Sequence, residues 1–304
     1  MPTTKAASEP PKGRFLLEAK GAYSLAASVN FLEGFAPAAQ RPQSADAIQW
    51  TFLADDLESA ASVRLFEASN GVRGEVLAGD PRQVRSQIAR VLSLEVDGAG
   101  FPEVGRRDPV VGKLQDRYTG LRPVLFFTPW EAAVWALISQ RIRIRQAVAI
   151  RTRLADELGR SVTVDNERVS VMPGPAQLRE LDSFSGLSAK KIENLHALAE
   201  AAEGGVLDAA HLRSLTPEQA LDELKNLPGV GPFSAQLTLL RGAGGPDYPP
   251  LAEPRMQHAV ALAYGIDEPS QEELGALAEG WEPYRTWVTF LLRVLLEDKH
   301  PVFP

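Results

Sequence analysis

The 304-residue chain is predicted to adopt an α+β fold, with a strand-rich first third and a mostly helical remainder. In the first third, short runs alternate apolar with polar residues or carry β-branched side chains, which is typical of strands. Beyond about residue 128, Ser or Thr is repeatedly followed three positions later by Glu or Gln at the start of an apolar stretch. This pattern marks helix starts. The two parts therefore differ in secondary structure.

The first third begins with a segment, residues 1–13, that lacks an apolar signal core and is predicted to be a disordered leader. Residues 14–100 are predicted to form a β-rich α/β domain. Its strands are expected at 15–19, 48–54, 62–68 and 72–78. Asn70-Gly71 predicts a hairpin turn because both residues tolerate a positive φ. A helix is expected from Pro81 to about residue 92, followed by a glycine-rich, irregular linker over 95–109.

Residues 110–304 are predicted to form a helical domain with two lobes. Three of its helices begin with the capping signals of Thr128, Thr216 and Ser270. The expected helices are 129–140, 144–158, 174–181, 188–203, 208–214, 217–226, 231–241, 254–264, 270–278 and 282–296.

Composition excludes several kinds of site. The chain has no cysteine, so disulfides, thiolate zinc sites and Cys-ligated iron–sulfur clusters are ruled out. Its four histidines lack metal-binding spacing, and no segment is long and apolar enough to predict a membrane span. The net charge of −7 argues against a nucleic-acid partner. The arginine-rich stretch 140–145 is a local exception, and it either contacts nucleic acid or is a solvated helix face.

The segment from Leu227 through Gly229 and Gly231 to Phe233 predicts two helices joined by a tight glycine turn. The second helix would start near Gly231, and its unpaired N–H groups could bind a phosphate. An ordinary helical hairpin turn is the alternative.

Two carboxylates follow the hairpin. Asp247 lies in a Gly- and Pro-rich loop and fits a turn residue. Glu253 lies at the start of the next expected helix, where the helix dipole favours its ionised form. It is either a reactive group or a helix cap.

These residues resemble the helix-hairpin-helix base-excision DNA glycosylase superfamily, and within it most closely the DNA-3-methyladenine glycosylase II family. The resemblance covers about residues 120–296, and the first third more loosely resembles that family's extra β domain. It is carried by the hairpin together with Gly120-Leu121-Arg122-Pro123, Pro129-Trp130-Glu131-Ala132, Ile138-Ser139-Gln140, Gly186-Leu187-Ser188 and Trp281-Glu282-Pro283-Tyr284-Arg285. The implied fold is a helical glycosylase core with an N-terminal antiparallel β-sheet/α domain.

The resemblance also implies roles for individual residues. The catalytic aspartate of the family falls on Glu253, which is one methylene longer. Gly229, Val230, Gly231 and Ser234 would hold DNA phosphates. The backbone carbonyls of Lys225, Leu227 and Val230 would bind a structural potassium or sodium ion, with no other cofactor expected.

The base pocket of the family falls on Phe233, Trp130 and Arg293, where Arg293 replaces a tryptophan. Phe233 occupies the position of the lysine nucleophile of bifunctional relatives, so no Schiff base can form there. Arg141 falls where the family inserts a wedge into the gap left by the extruded base.

The resemblance thus implies a monofunctional DNA glycosylase of base excision repair that removes alkylated purines such as 3-methyladenine. Its partner would be double-stranded DNA with a damaged base, and we expect a cytoplasmic, nucleoid-associated monomer with no membrane partner. A catalytically impaired protein that recognises damaged or distorted DNA is the alternative, favoured by Glu253, Arg293 and the acidic charge. A protein-interaction domain on the same scaffold is a third.

Overall fold

The computed structural model describes residues 11–34, 47–251, 253 and 255–298. The expected disordered leader, residues 1–13, lies outside the described residues except for its last three positions. The α+β fold class predicted from sequence is confirmed. Among the described residues, no helix is long and apolar enough to cross a bilayer.

The N-terminal part is a four-stranded antiparallel sheet in the order β1-β4-β3-β2. Its strands are β1 (Gly13–Glu18), β2 (Ile48–Leu53), β3 (Ala60–Ala68) and β4 (Gly71–Ala78). The predicted hairpin joins β3 and β4, with Ala68 paired to Gly71. The turn residues are therefore Ser69 and Asn70, one position earlier than expected. Helices α1 (Leu25–Gly34) and α2 (Pro81–Val91) accompany the sheet, and α1 was not anticipated.

The expected linker over 95–109 is wrong in its second half, which contains the helix α3 (Phe101–Arg107). The three glycines of this segment suggested an irregular chain. Pro102 lies in the first turn of the helix, where a missing N–H costs no intrahelical hydrogen bond. Helix α4 (Pro109–Arg117) follows, capped by the Asp108 side chain, which accepts the Val110 N–H at 3.0 Å.

The remaining helices lie close to the expected positions. They are α5 (Pro129–Ser139), α6 (Ile144–Leu158), α7 (Pro175–Arg179), α8 (Ala189–Glu203), α9 (Ala209–Ser214), α10 (Pro217–Lys225), α11 (Pro232–Leu237), α12 (Met256–Tyr264), α13 (Gln271–Glu279) and α14 (Arg285–Glu297). A short hairpin of β5 (Ser161–Val164) and β6 (Glu167–Ser170), missed in the sequence, follows α6.

The three capping signals all start helices. Thr216 and Ser270 form complete capping boxes. Thr128 caps α5 by accepting the Glu131 N–H at 3.0 Å, but the Glu131 carboxylate is turned inward, 3.6 Å from Arg151.

The expected helix 231–241 is also corrected. It is α-helical only as far as Leu237 and continues as a π-helical segment, Thr238–Gly244. Such wide turns are frequent at functional sites.

The apolar residues form three packed clusters. One lies between the sheet and α2, a second among α5 to α11, and a third among α3, α4 and α12 to α14. Trp130 is the largest buried side chain of the second cluster and Trp281 of the third. The two helical clusters flank the π-helical segment and α14, and a cleft opens between them.

Candidate active site

The predicted glycine hairpin joins α10 to α11. Its turn is closed by the Val230 N–H, which donates to the Leu227 carbonyl at 3.1 Å. Gly229 has a φ of +81°, and a Cβ there would lie 2.3 Å from Asn194 Nδ2 on α8. A Cβ added at Gly231 would meet no atom within 4 Å. One side of the turn is therefore packed against α8, whereas the side at Gly231 faces open space.

The start of α11 leaves backbone donors uncapped. Gly231 is the N-cap residue, and no side chain caps this helix end. The first turn holds Phe233 and Ser234. Ser234 is buried, so its hydroxyl is not presented at the surface for the DNA contact predicted for it. This geometry suits an anion.

The loop after α5 is fixed to the hairpin. Gln140 Nε2 donates to the Gly229 carbonyl at 2.9 Å. Lys191 Nζ donates to the carbonyls of Ile138 and Gln140 at 2.7 and 2.9 Å. Burial lowers the pKa of Lys191. These hydrogen bonds hold Arg141 at a set distance from the hairpin.

Three arginines near this loop are exposed. Arg141 has a φ of +57°, which is unusual for a residue with a side chain. Within the described chain, Arg141, Arg143 and Arg145 form no ion pair. Arg151 and Arg153 of the same sequence cluster are turned away, towards Glu131 and the Ser185 carbonyl. The surface beside the hairpin is therefore positive although the whole chain is acidic.

A cleft of about 350 Å³ lies next to the hairpin and this loop. Phe233 stands at one wall with 45% of its surface exposed, and Ile144, 55% exposed, stands at another. Trp135, Phe290 and Phe31 contribute further aromatic surface. An aromatic-walled cleft of this size fits a planar base.

Glu253 lines this cleft and does not cap its helix. No side chain caps α12, and the Glu253 carboxylate instead accepts a hydrogen bond from Arg293 Nε. Burial raises the pKa of Glu253, whereas the positive charges of Arg293 and Arg241 oppose this effect. The other carboxylate considered in the sequence, Asp247, is a structural group, because it binds Arg285 Nε at 2.8 Å and Nη2 at 2.9 Å.

Arg293 links two carboxylates. Its Nη2 donates to Glu297 at 3.0 Å, and its buried Nη1 has no hydrogen-bond partner among the described residues. A second arginine, Arg241, is partly buried and donates to the Val124 carbonyl at 2.6 Å. Burial lowers the pKa of Arg241 to about 10, so it remains protonated at neutral pH.

The assignment of Trp130 to the base pocket is corrected. Trp130 is fully buried, and its indole N–H donates to the Pro173 carbonyl at 2.9 Å. Trp135 lines the cleft instead. Five residues along a helix turn the side chain by about 140°, so the two tryptophans face different directions. The spacing of Trp135 and Ser139, four residues apart, is the sequence signal that could have identified this face.

Comparison with known proteins gives consistent results. No protein-family model matches the chain. It is 23% identical over 219 residues, 70% of this chain and 72% of the other, to the DNA-3-methyladenine glycosylase of Bacillus subtilis. It is 29% identical over 248 residues to the probable bifunctional transcriptional activator/DNA repair enzyme AlkA of Mycobacterium tuberculosis. That alignment covers 79% of this chain and 48% of the longer protein.

Solved structures share the fold. The 3-methyladenine DNA-glycosylase of Archaeoglobus fulgidus superposes with a TM-score of 0.76 at 20% identity, over 92% of this chain and 96% of that one. MBOgg1 in complex with a low-affinity DNA ligand superposes with a TM-score of 0.70 at 17% identity, over 95% and 98%. The chain is therefore similar in sequence to DNA-3-methyladenine glycosylases and shares its fold with solved DNA glycosylases.

Proposed function

We propose that the protein is a monofunctional DNA glycosylase of base excision repair that hydrolyses the N-glycosidic bond of alkylated purines. The observation that carries the proposal is the position of Glu253, a partly buried carboxylate in an aromatic-walled cleft beside the hairpin. Two of the proteins reported above are named as 3-methyladenine glycosylases, which agrees with this substrate class.

The hairpin anchors the DNA backbone. The backbone N–H groups at Gly231 and the start of α11 bind a phosphate, and the exposed Arg143 and Arg145 add positive charge. Arg141 fills the space that the damaged nucleotide leaves as it rotates out of the duplex. Extrusion costs roughly a few kcal/mol, which stacking on Phe233 and Trp135 offsets.

Bond cleavage then leaves positive charge on the sugar. The electron pair of the N-glycosidic bond departs with the base, and a cationic alkylated purine leaves as a neutral molecule without a separate acid. The Glu253 carboxylate stabilises the developing oxocarbenium ion, water adds at the sugar carbon, and the water proton is released to solvent. The product is free base and an abasic site.

A lyase step is not expected. The position that would hold a nucleophilic lysine is Phe233, and among the described residues no lysine lines the cleft. A Schiff base with the sugar therefore lacks its amine. Borohydride should trap no covalent complex between the protein and damaged DNA.

A monovalent cation at the hairpin is part of the proposal. Among the residues that the structure describes, the carbonyls of Lys225 and Val230 accept no hydrogen bond, and that of Leu227 accepts one. Carbonyl oxygens of this kind fit potassium or sodium, which would stiffen the turn that presents the N–H groups. Within the described ranges, no group of acidic or histidine side chains could hold a metal ion.

The proposal extends to the cell. A substrate of damaged double-stranded DNA implies action on the nucleoid, and one cleft with one anchor requires only a monomer. No small-molecule cofactor enters the hydrolysis.

A catalytically impaired DNA-binding protein is the second candidate, because the ion pair with Arg293 engages the Glu253 carboxylate. Single-turnover assays on duplexes containing 3-methyladenine, 7-methylguanine, hypoxanthine or ethenoadenine separate the two candidates. Release of a base that Glu253→Gln abolishes supports the enzyme. Tight binding of an abasic analogue without release of any base supports the impaired protein.

A further inference from the structure

The cleft contains a second carboxylate that neither the sequence nor the mechanism above uses. Glu297 is the last residue of α14, lines the same cleft as Glu253, and accepts a hydrogen bond from Arg293 Nη2 at 3.0 Å. Its side chain is 41% exposed. Arg293 thus lies between the two carboxylates, with a different nitrogen directed to each.

The position of Glu297 is unfavourable for the helix itself. A negative charge in the last turn of a helix opposes the helix dipole. A pair with Arg before Glu at a spacing of four is also the weaker order for helix stability. Helix stability therefore does not explain this glutamate, which suggests that it acts in the cleft.

The charges of the cleft provide a role. Its lining includes two arginines, Arg241 and Arg293, and two glutamates, Glu253 and Glu297. The formal charges cancel. Without Glu297 the lining would carry one net positive charge, which would oppose a cation forming on the sugar. Arg255 also approaches Glu297, at 4.0 Å, from outside this lining.

We propose that Glu297 is a positioning residue that holds the guanidinium of Arg293 and shares its positive charge, so that the Glu253 carboxylate keeps its attraction for the sugar cation. The inference rests on the proposed glycosylase function. It assigns Glu297 an indirect role, because its carboxylate acts through Arg293 and touches no reacting atom.

The test is a double-mutant cycle on the full chain. The single-turnover rate of 7-methylguanine release is measured with enzyme in excess, together with the Kd for abasic-analogue DNA. Glu297→Gln should lower the rate roughly tenfold, because a charge within hydrogen-bond distance of Arg293 acts on the sugar cation through the effective dielectric of a protein surface. The Kd should not rise, because removal of a negative charge does not weaken DNA binding. In the Arg293→Met background, where Glu297 has no guanidinium to hold, the same substitution should lower the rate by clearly less than it does in the wild type.

Glu203→Gln is the matched control. Glu203 also ends a helix, pairs with an arginine, Arg179, and is 38% exposed, but it lies outside the cleft. Its substitution should leave the rate unchanged. The inference is overturned if Glu297→Gln releases base as fast as the wild type. It is also overturned if the loss persists in full without Arg293, which would indicate a direct effect. A wild-type protein that binds the analogue but releases no base refutes the proposed function itself.

Discussion

Alanine substitution should have different effects at the two glycines of the hairpin. At Gly229 it should lower stability, and at Gly231 it should weaken DNA binding. Gly229 has a φ of +81°, a conformation that costs an L-residue roughly 1–2 kcal/mol. An alanine Cβ would also come within 2.3 Å of Asn194 Nδ2 and 3.2 Å of Leu137 Cδ1. Asn194 lies on α8 and is buried, so its side chain cannot move aside freely. With about 1–2 kcal/mol for this overpacking, Gly229→Ala should lower the free energy of unfolding by about 2–4 kcal/mol.

Gly231→Ala supplies the matched comparison. Its backbone has a φ of −92°, and the new Cβ would meet no atom within 4 Å. Alanine is a poorer N-cap than glycine, which lowers stability, but it also reduces the freedom of the unfolded chain, which raises stability. These effects roughly offset each other, so the free energy of unfolding should change by less than about 0.5 kcal/mol. The methyl group would instead project to the side where a phosphate binds. Affinity for abasic-analogue DNA should fall about tenfold, which corresponds to about 1.4 kcal/mol.

Thermal unfolding followed by circular dichroism, with fluorescence anisotropy for DNA binding, measures both quantities. Gly229→Ala should lower Tm by roughly 5–10 °C, whereas Gly231→Ala should leave Tm unchanged and weaken only binding. The reasoning is refuted if Gly229→Ala is as stable as the wild type. It is equally refuted if Gly231→Ala binds DNA with unchanged affinity, because the open side of the turn would then not face the phosphate.

Three further predictions concern the cleft. Glu253→Gln should lower the single-turnover rate of base release about a hundred- to thousandfold. Asp247→Asn removes a carboxylate outside the cleft and should keep base release close to wild type. Equal rates for the two variants would contradict the assignment of Glu253 as the reactive carboxylate. Burial raises the pKa of Glu253. The rate of base release should therefore fall as the pH is lowered, and the fall should begin at a higher pH than the pKa of an exposed glutamate would give. A pH–rate profile without this acid limb would argue against Glu253 as the reactive carboxylate. The same shift means that this group's contribution to stability is present at low pH and is lost as pH rises through its folded-state pKa, which pH-dependent denaturation would detect. Phe233→Ala should slow base release about tenfold at unchanged Tm. Trp130→Phe should lower Tm, because the hydrogen bond to the Pro173 carbonyl is lost, without slowing base release. The reverse pattern would show that Trp130, and not Phe233, contacts the base.

The sequence predicts those features that local chemistry determines. Caps at Thr216 and Ser270 are set by residues three positions apart, so their helices were found close to their true starts. The hairpin was recognisable because only glycine tolerates the backbone of residue 229. By contrast, the linker was misjudged because its three glycines suggested an irregular chain.

The site was only partly predictable, because its contacts join distant parts of the chain. Glu253 and Arg293 were each singled out, but their ion pair spans forty residues and depends on how α14 packs beside α12. Glu297 was missed because the expected helix ended at residue 296, so its unfavourable position in the last turn of α14 was not visible from the sequence. Trp135 was overlooked because its helix is buried almost throughout, so that only the polar Ser139, four residues further on, marks the cleft face.

Phe31 gives the N-terminal helix α1 a share in the cleft wall. Its ring packs edge-on against Phe290, with centroids 4.8 Å apart, and lies 5.4 Å from the guanidinium carbon of Arg241. A side chain some two hundred residues before the hairpin therefore shapes the space that receives the base. Substitutions in the β-rich part can retune which bases enter while leaving the DNA anchor and Glu253 intact. Grafting the helical part onto a different N-terminal domain would keep the proposed anchor and the Glu253 carboxylate but would remove this part of the cleft wall.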